Sequence, residues 1–291
     1  MFSILVCSIK PEAAEKLRKN IQETIGVPFE FIAFDNRLAK RGICSVYNEC
    51  ARRARYDLLC FVHEDVCFRT KDWGVMIAAQ LQQKQCGVVG FAGSIMKLRG
   101  LSSWCVDEHD ARQNYRQPDA HGRMTHYYSN PQDVDFSPTI CLDGLCLMVR
   151  KEVWAATPFD EVLLTGFHAY DLDFTTAVAC QHKNYVCNRV QIEHFSVGAF
   201  SSDWLENLKK YHAKWQATLP LFADVKLSTA QLERCNRYAE VAFIRRLFAK
   251  HLCTPKEGLQ MTFSFLARHP FYGHSWVLIE KYIKHIIHCY K

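Results

Sequence analysis

"LLCFVHEDVCF", residues 58–68, is the stretch on which the fold turns. Leu58 to Val62 is a short, near-continuous apolar run, the length of one buried strand, and it leads straight into His63, Glu64 and Asp65. A polar triplet that close to a buried strand is either an ordinary loop or a cation or phosphate site at the strand's carboxyl end. The flanking segments decide the fold class. "FSILVCSI" near the N-terminus is a second buried run. Pro11 then opens a helical stretch with Leu17, Ile21 and Ile25 on one face, closed by Gly26. "FEFIAFD" reads as a strand, and Ser45 is expected to cap a helix carrying Val46, Cys50, Ala51 and Ala54. After the strand "DLLCFV" come a helix, "DWGVMIAAQLQQKQ", and a fourth strand, "GVVGFAG". Strand and helix alternating at this spacing predict an α/β fold, a mostly parallel sheet with helices on both faces.

The chain has 291 residues, enough for one large domain with an appendage or for two modest domains. Hydrophobic residues make up 49% and charged residues 23%, which excludes a disordered chain. No apolar run approaches the roughly 18 residues of a membrane span. "MFSILVCSIK" is too short an apolar run for a signal peptide and lacks a charged leader, so it reads as the first strand. Fourteen cysteines include no Cys-x-x-Cys pair, so the usual zinc and redox spacings are absent. Cys7, Cys60 and Cys146 sit inside apolar runs as small hydrophobes, and reduced thiols in a cytoplasmic protein are expected. A formal charge of +6 suits an anionic partner such as a nucleotide, a lipid headgroup or nucleic acid, without discriminating among them. No nucleic-acid-binding motif accompanies it, so no nucleic-acid partner is expected.

In open α/β sheets the ligand binds beyond the carboxyl ends of the strands. Ser8, then Asp35 and Asn36, then His63, Glu64 and Asp65 follow three strands and are expected on one rim. Each is also an ordinary turn or capping residue type, but three clusters at three strand ends favour a site. A second constellation lies downstream. "TICLDGLCLMVRKEVW" reads as a buried strand and the start of a helix, and "FDEVLLTGFHAYDLDFTTAVAC" places Asp171 and Asp173 at another helix start. The helix dipole favours carboxylates there. At i and i+2 they point in different directions, so one is expected to face the site while the other caps or braces. "QIEHFSVGAF" then sets His194 after a short strand; a lone histidine is more often structural than a ligand.

In this order and spacing, the motifs resemble the GT-A glycosyltransferases of family 2. Within these the chain is similar to the subgroup named after a streptomycin-biosynthesis protein, whose His-x-Asp-Val motif matches "FVHEDV". The likeness covers residues 2 to about 217. It implies a GT-A domain over residues 1–217, a helical extension over 218–291, and transfer of a sugar from a nucleotide-sugar to an acceptor hydroxyl, with inversion. It implies a divalent ion, Mn2+ or Mg2+, at the diphosphate, with Asp65, His194 and His63 as ligands. "HED" departs from the family's Asp-x-Asp in having His63 first; imidazole suits Mn2+ better than Mg2+. Asp35 and Asn36 fall on nucleotide-contacting positions, with Arg37, Lys40 and Arg41 nearby, and Asp143 falls near the donor sugar and acceptor. In "HAYDLDF" Tyr170 stands in the family's Glu position, Asp171 on the catalytic base, and Asp173 on a supporting position at the substrate site.

Residues 97–135 form a long polar stretch with Trp104, Tyr115, Tyr127 and Tyr128, expected as a lid or surface insertion beside the acceptor. Residues 203–217 carry Trp204, Leu208, Tyr211 and Trp215 at helical spacing, a packed face. Ser228 with Gln231 and Thr254 with Glu257 predict two capping boxes. Trp276 to Tyr290 reads as a packed helix or oligomer contact, with peripheral contact to anionic lipid as the alternative. The acceptor class, whether glycan, lipid-linked or a small molecule, is left open. Two other functions compete. A sugar nucleotidyltransferase would carry a Gly-rich phosphate loop after the first strand, and "CSIKPEAAEK" has none. A non-catalytic GT-A-like module would bind nucleotide without turnover.

Overall fold

The computed structural model describes residues 1–119, 121–196, 198 and 200–289. The chain runs β1 (Phe2–Ser8), α1 (Pro11–Thr24), β2 (Phe29–Asp35), α2 (Ile43–Arg53) and β3 (Leu58–Val62). It continues through β4 (Val66–Phe68), α3 (Trp73–Leu81), β5 (Cys86–Gly90), β6 (Ala92–Ser94) and β7 (Met96–Lys97). Next come β8 (Ala111–Pro118), β9 (Met124–Ser129), β10 (Phe136–Thr139), β11 (Cys141–Leu142), β12 (Cys146–Arg150) and α4 (Lys151–Ala156). Then follow α5 (Tyr170–Ala179), β13 (Lys183–Cys187), β14 (Ile192–His194) and α6 (Ser202–Trp215). The chain closes with β15 (Leu221–Phe222), α7 (Thr229–Ala249), α8 (Pro255–Arg268) and α9 (Ser275–Cys289).

A seven-stranded sheet, ordered β10-β13-β5-β12-β3-β1-β2, forms the centre. Its inner strands β1, β3, β5 and β12 are apolar on both faces because both are covered. Along β1, Phe2, Ile4 and Val6 enter a core with Leu17 and Ile21 of α1 and Trp73 of α3. Leu5, between them, enters the opposite core with Val46 and Cys50 of α2. Side chains alternating across a strand produce that division. The α/β expectation holds, with one refinement to the mostly parallel sheet. β1, β2, β3, β5 and β13 run one way, while β12 is antiparallel to both β3 and β5, and β10 is antiparallel to β13.

A second sheet, β11-β6-β8-β14-β4, stands against the carboxyl rim, with β9 paired to β8. Three segments change sheet at the rim. "LLCFVHEDVCF" bends at His63–Asp65 between β3 and β4, "GVVGFAG" at Phe91 between β5 and β6, and "TICLDGLCLMV" at Asp143–Leu145 between β11 and β12. Two further expectations are corrected. α2 starts at Ile43 behind Gly42, so Ser45 lies inside the first turn, its hydroxyl donating to the Gly42 carbonyl at 3.2 Å. Within residues 97–135, the expected loop, β8 and β9 form a hairpin built into the second sheet. Asn114 anchors it, its amide donating to the carbonyls of Asn188 (2.8 Å) and Val190 (3.0 Å).

After α6, whose Trp204, Leu208 and Tyr211 are buried, β15 pairs with β7. Both capping boxes form, at Ser228 on α7 and Thr254 on α8. Leu247 of α7 reaches the main core, while Val241, Ile244, Phe248, Phe265 and Leu278 make a small core among α7, α8 and α9. Among the described residues no helix is long and apolar enough to cross a membrane. Tyr290, the end of the stretch begun at Trp276, lies outside the described residues.

Candidate active site

β14 pairs antiparallel with β4, setting His194 opposite Val66 and therefore beside the bend that follows β3. His63, Asp65 and His194 each offer one donor atom, and the three atoms lie within 4.8 Å of one another. His63 Nδ1 is 3.5 Å from His194 Nε2, and His194 Nε2 is 3.4 Å from Asp65 Oδ1. Ser196 Oγ lies 3.0 Å from the same nitrogen.

The proton positions on His63 follow from its neighbour. Tyr170 donates its hydroxyl hydrogen to the Gly144 carbonyl at 3.1 Å, so its oxygen accepts from His63 Nε2–H at 2.8 Å. Nδ1 of His63 thus keeps its lone pair and turns it towards His194 and Asp65. The two departures from the family pattern, His63 and Tyr170, are therefore partners. A ligating histidine whose far N–H is held by a hydrogen bond is the usual outer-shell arrangement of a metal site. Burial, with the neighbouring His194 adding to it, pulls the His63 pKa down to about 4, against the weaker pull of Asp65 and Asp143. Burial alone would raise Asp65, but its hydrogen bond and charge contact with His194 outweigh that and hold it at about 2. A neutral imidazole and an ionised carboxylate are the protonation states a divalent cation needs, so this donor set fits Mn2+ or Mg2+.

Asp171 sits at the start of α5, its Oδ2 accepting from the Gly144 N–H at 2.9 Å. Gly144 is required for that approach: a Cβ there would lie 2.1 Å from the Tyr170 hydroxyl oxygen and 3.1 Å from the Asp171 Cβ. Ala169, just before, has φ 63, the left-handed region that non-glycine residues rarely adopt and that gathers at functional sites. The helix dipole, which favours the ionised carboxylate, does not decide the proton affinity of Asp171. Burial first, then the charge of Asp143, raise its pKa to about 7, against the N–H groups of Leu172 and Gly144 that lower it. Asp143 occupies the β11–β12 turn, accepting from the Leu145 N–H at 3.0 Å.

Two cavities meet here. One, of about 300 Å³, is walled by His63, Asp143, Asp171, His194, Trp104 and Tyr115. The other, of about 720 Å³, is walled by Asn36, Arg37, Lys40, His63, Glu64 and Asp65. His63 and Phe167 belong to both walls.

The remaining predicted residues are placed differently. Asp173 turns away from the cavity, accepting from Trp215 Nε1 (2.7 Å) and Lys214 Nζ (2.8 Å), so it braces α5 against α6 and lines neither cavity. Asp35 is exposed and closed onto Arg37, whose hydrogen bonds hold its carboxyl at about 2. Ser8 donates to Glu64 at 2.6 Å, and Glu64 also accepts from the Lys10 N–H at 2.9 Å and so closes the β1–α1 turn. Asn36 clamps its loop through two 2.8 Å bonds to the main chain of Arg41. Sequence reasoning missed Gly144 and Ser196, whose roles depend on contacts across the fold.

Residues 3–215 match the family described as "Glycosyltransferase like family". The chain belongs to this glycosyltransferase-like family. No curated protein matches it in sequence. Among solved structures, it resembles GalNAc-T7 with UDP, GalNAc and Mn2+ at TM-score 0.52 and 9% identity, over 91% of this chain and 54% of that one. It also resembles residues 1–349 of TarS from S. aureus in complex with UDP-GlcNAc, at TM-score 0.51 and 12% identity, over 95% of this chain and 83% of that one. The chain therefore spans about half the length of the first of these. At such identities the likeness establishes the fold, a GT-A architecture with helices after it.

Proposed function

We propose that the protein transfers a sugar from a nucleotide-sugar to an acceptor hydroxyl with inversion at the anomeric carbon. The observation that carries this is the position of His63, in the wall shared by the two cavities. The larger cavity, with Arg37 and Lys40, suits the nucleoside diphosphate, and the smaller, with Asp171, suits the acceptor. Asp171 takes the proton of the acceptor hydroxyl as that oxygen bonds to the anomeric carbon. The bond from that carbon to the diphosphate oxygen breaks on the opposite side, and the electron pair leaves with the nucleoside diphosphate. A base with pKa about 7 suits proton transfer at neutral pH. A divalent ion held by His63, Asp65 and His194 would offset the charge that builds on the departing diphosphate. The two imidazoles favour Mn2+ over Mg2+. Tyr170 fixes the His63 ring for that task.

Trp104, Tyr115, Phe167 and Trp204 line the smaller cavity and favour an acceptor with a sugar-like ring, because aromatic faces pack on such rings. The His63–Glu64–Asp65–Val66 run supports the streptomycin-biosynthesis-type subgroup. The fourteen free cysteines support a cytoplasmic location. The exposed Phe271, Trp276, Ile283 and Ile287, with Lys281 and Lys284, support peripheral contact of the C-terminal helices with anionic lipid. Failure to sediment with anionic vesicles would remove that contact. A thermal-shift screen of nucleoside diphosphates and nucleotide-sugars, with and without Mn2+, tests the donor assignment. A ligand at a hundred times its Kd stabilises by about 2.7 kcal/mol. Binding followed by no turnover with any acceptor or with water would favour the non-catalytic module instead.

A further inference from the structure

The C-terminal helices hold a second cluster of ligand-type side chains, remote in sequence from the rim. Ligand atoms of His251, His285 and Cys289 lie within 4.8 Å of one another. His285 and Cys289 are one helical turn apart on α9, which places them on one face. His251 comes from the end of α7, so the set joins the last turns of two helices. The separation from residue 251 to residue 285 hides this set from any search by spacing, and no Cys-x-x-Cys pair marks it.

Three features make the cluster a prepared site. His285 is buried, and its Nε2–H donates to the Cys253 carbonyl at 3.0 Å. A carbonyl can only accept, so Nδ1 of His285 keeps its lone pair, 4.0 Å from Cys289 Sγ. A main-chain carbonyl holding the far N–H is the common orienting partner of a ligating histidine. Second, His251 occupies a position where a helix normally ends in glycine. Its N–H donates to the Phe248 carbonyl (3.3 Å) and the next N–H, of Leu252, to the Leu247 carbonyl (2.9 Å), the paired bonds of a Schellman ending. Its φ is 52, in the left-handed region that favours glycine. The imidazole is thus retained where the backbone would be better served by having no side chain. Third, the donors are near enough for small side-chain rotations to close them on an ion: all lie within 4.8 Å of one another, and His285 Nδ1 and Cys289 Sγ are 4.0 Å apart. Tetrahedral zinc with bonds of about 2.0–2.3 Å puts neighbouring nitrogen and sulfur donors about 3.5 Å apart.

We infer that His251, His285 and Cys289 bind one Zn2+ ion, with water in the fourth position, which ties the end of α9 to the end of α7. Binding displaces the Cys289 thiol proton to solvent, leaving the thiolate as the ligand. A thiolate with two imidazoles selects zinc over the hard cations suited to a diphosphate site. The ion would serve a region with a small core of its own, since the apolar cluster these three helices share consists of Val241, Ile244, Phe248, Phe265 and Leu278.

The test uses the full chain and Co2+ as a visible stand-in for Zn2+. His63, Asp65 and His194 supply no thiolate, so a thiolate-to-Co2+ charge-transfer band does not come from the rim, and its loss in Cys289→Ser assigns it to Cys289 among the fourteen free cysteines. One equivalent of Co2+ should produce the band together with tetrahedral visible bands, and Zn2+ should abolish them. Cys289→Ser should lose the band and weaken Zn2+ binding by at least about a hundredfold. His251→Gly separates ligation from structure: it should raise the Tm of the metal-free protein by relieving the left-handed residue, yet diminish the Tm rise that Zn2+ gives the wild type. Absence of the charge-transfer band, its persistence in Cys289→Ser, or an undiminished Zn2+ response in His251→Gly would overturn the assignment.

Discussion

The strand rim and the C-terminal helices satisfy their polar groups in opposite ways. At the rim, partners come from far along the chain: His63 meets His194 across 131 residues and Tyr170 across 107. In the helices most bonds are local, as in the capping boxes at Ser228 and Thr254 and the one-turn Glu280–Lys284 pair. Local bonds fix where a helix begins and ends. Long-range bonds hold side chains in half-buried positions they would not otherwise occupy, and those positions perturb proton affinities. Asp171 and Asp173 are two residues apart, yet one faces a cavity opposite Asp143 and the other is neutralised by Lys214.

The contrast predicts large chemical effects at the rim and small stability effects away from it. Asp171→Asn should lower single-turnover transfer by at least about a hundredfold while donor affinity stays within about twofold. Because burial and Asp143 raise Asp171 to about 7, the wild-type rate should climb as pH rises through that value and fall on the acid side, where the carboxyl is protonated. A flat profile between pH 6 and 8 would move the base to another group. Tyr170→Phe keeps the ring but leaves the His63 N–H without its acceptor; divalent-ion affinity should drop about 10- to 100-fold. Asp173→Asn should act on folding, lowering stability by about 1–3 kcal/mol in denaturant titrations without shifting the pH profile. Thr254→Ala, which removes one capping box, should cost about 1 kcal/mol and leave transfer unchanged. A transfer rate that falls with Thr254→Ala as much as with Tyr170→Phe would erase the distinction between the two regions.

The same contrast explains what could be read without coordinates. β1 and β3 were legible because both faces are covered, which forces continuous apolar runs, and the capping boxes because their partners are three residues apart. The β8–β9 hairpin was not, since "ARQNYRQP" is polar and its buried Asn114 is satisfied by carbonyls of residues 188 and 190. The convergence of His63, Asp65, Asp143, Asp171 and His194 followed from strand-end placement and the family resemblance. The fate of Asp35 depended on Arg37 folding back on it, that of Asp173 on Lys214 and Trp215, and that of Ser8 on Glu64. Nothing in the local pattern distinguishes a carboxylate that faces substrate from one that braces a helix. Tyr170 stood out only as a departure; its contact with His63 turns that departure into part of the site.

The central claim is that His63, Asp65 and His194 together hold a divalent ion beside a nucleoside diphosphate. Calorimetric titration of a nucleoside diphosphate into the full chain, with and without Mn2+, tests it most directly when repeated on Asp65→Ala. The wild type should bind at least about tenfold more tightly with Mn2+ present, and Asp65→Ala should lose that enhancement while keeping the weak metal-free affinity. Equal Mn2+ enhancement in both proteins would contradict the assignment.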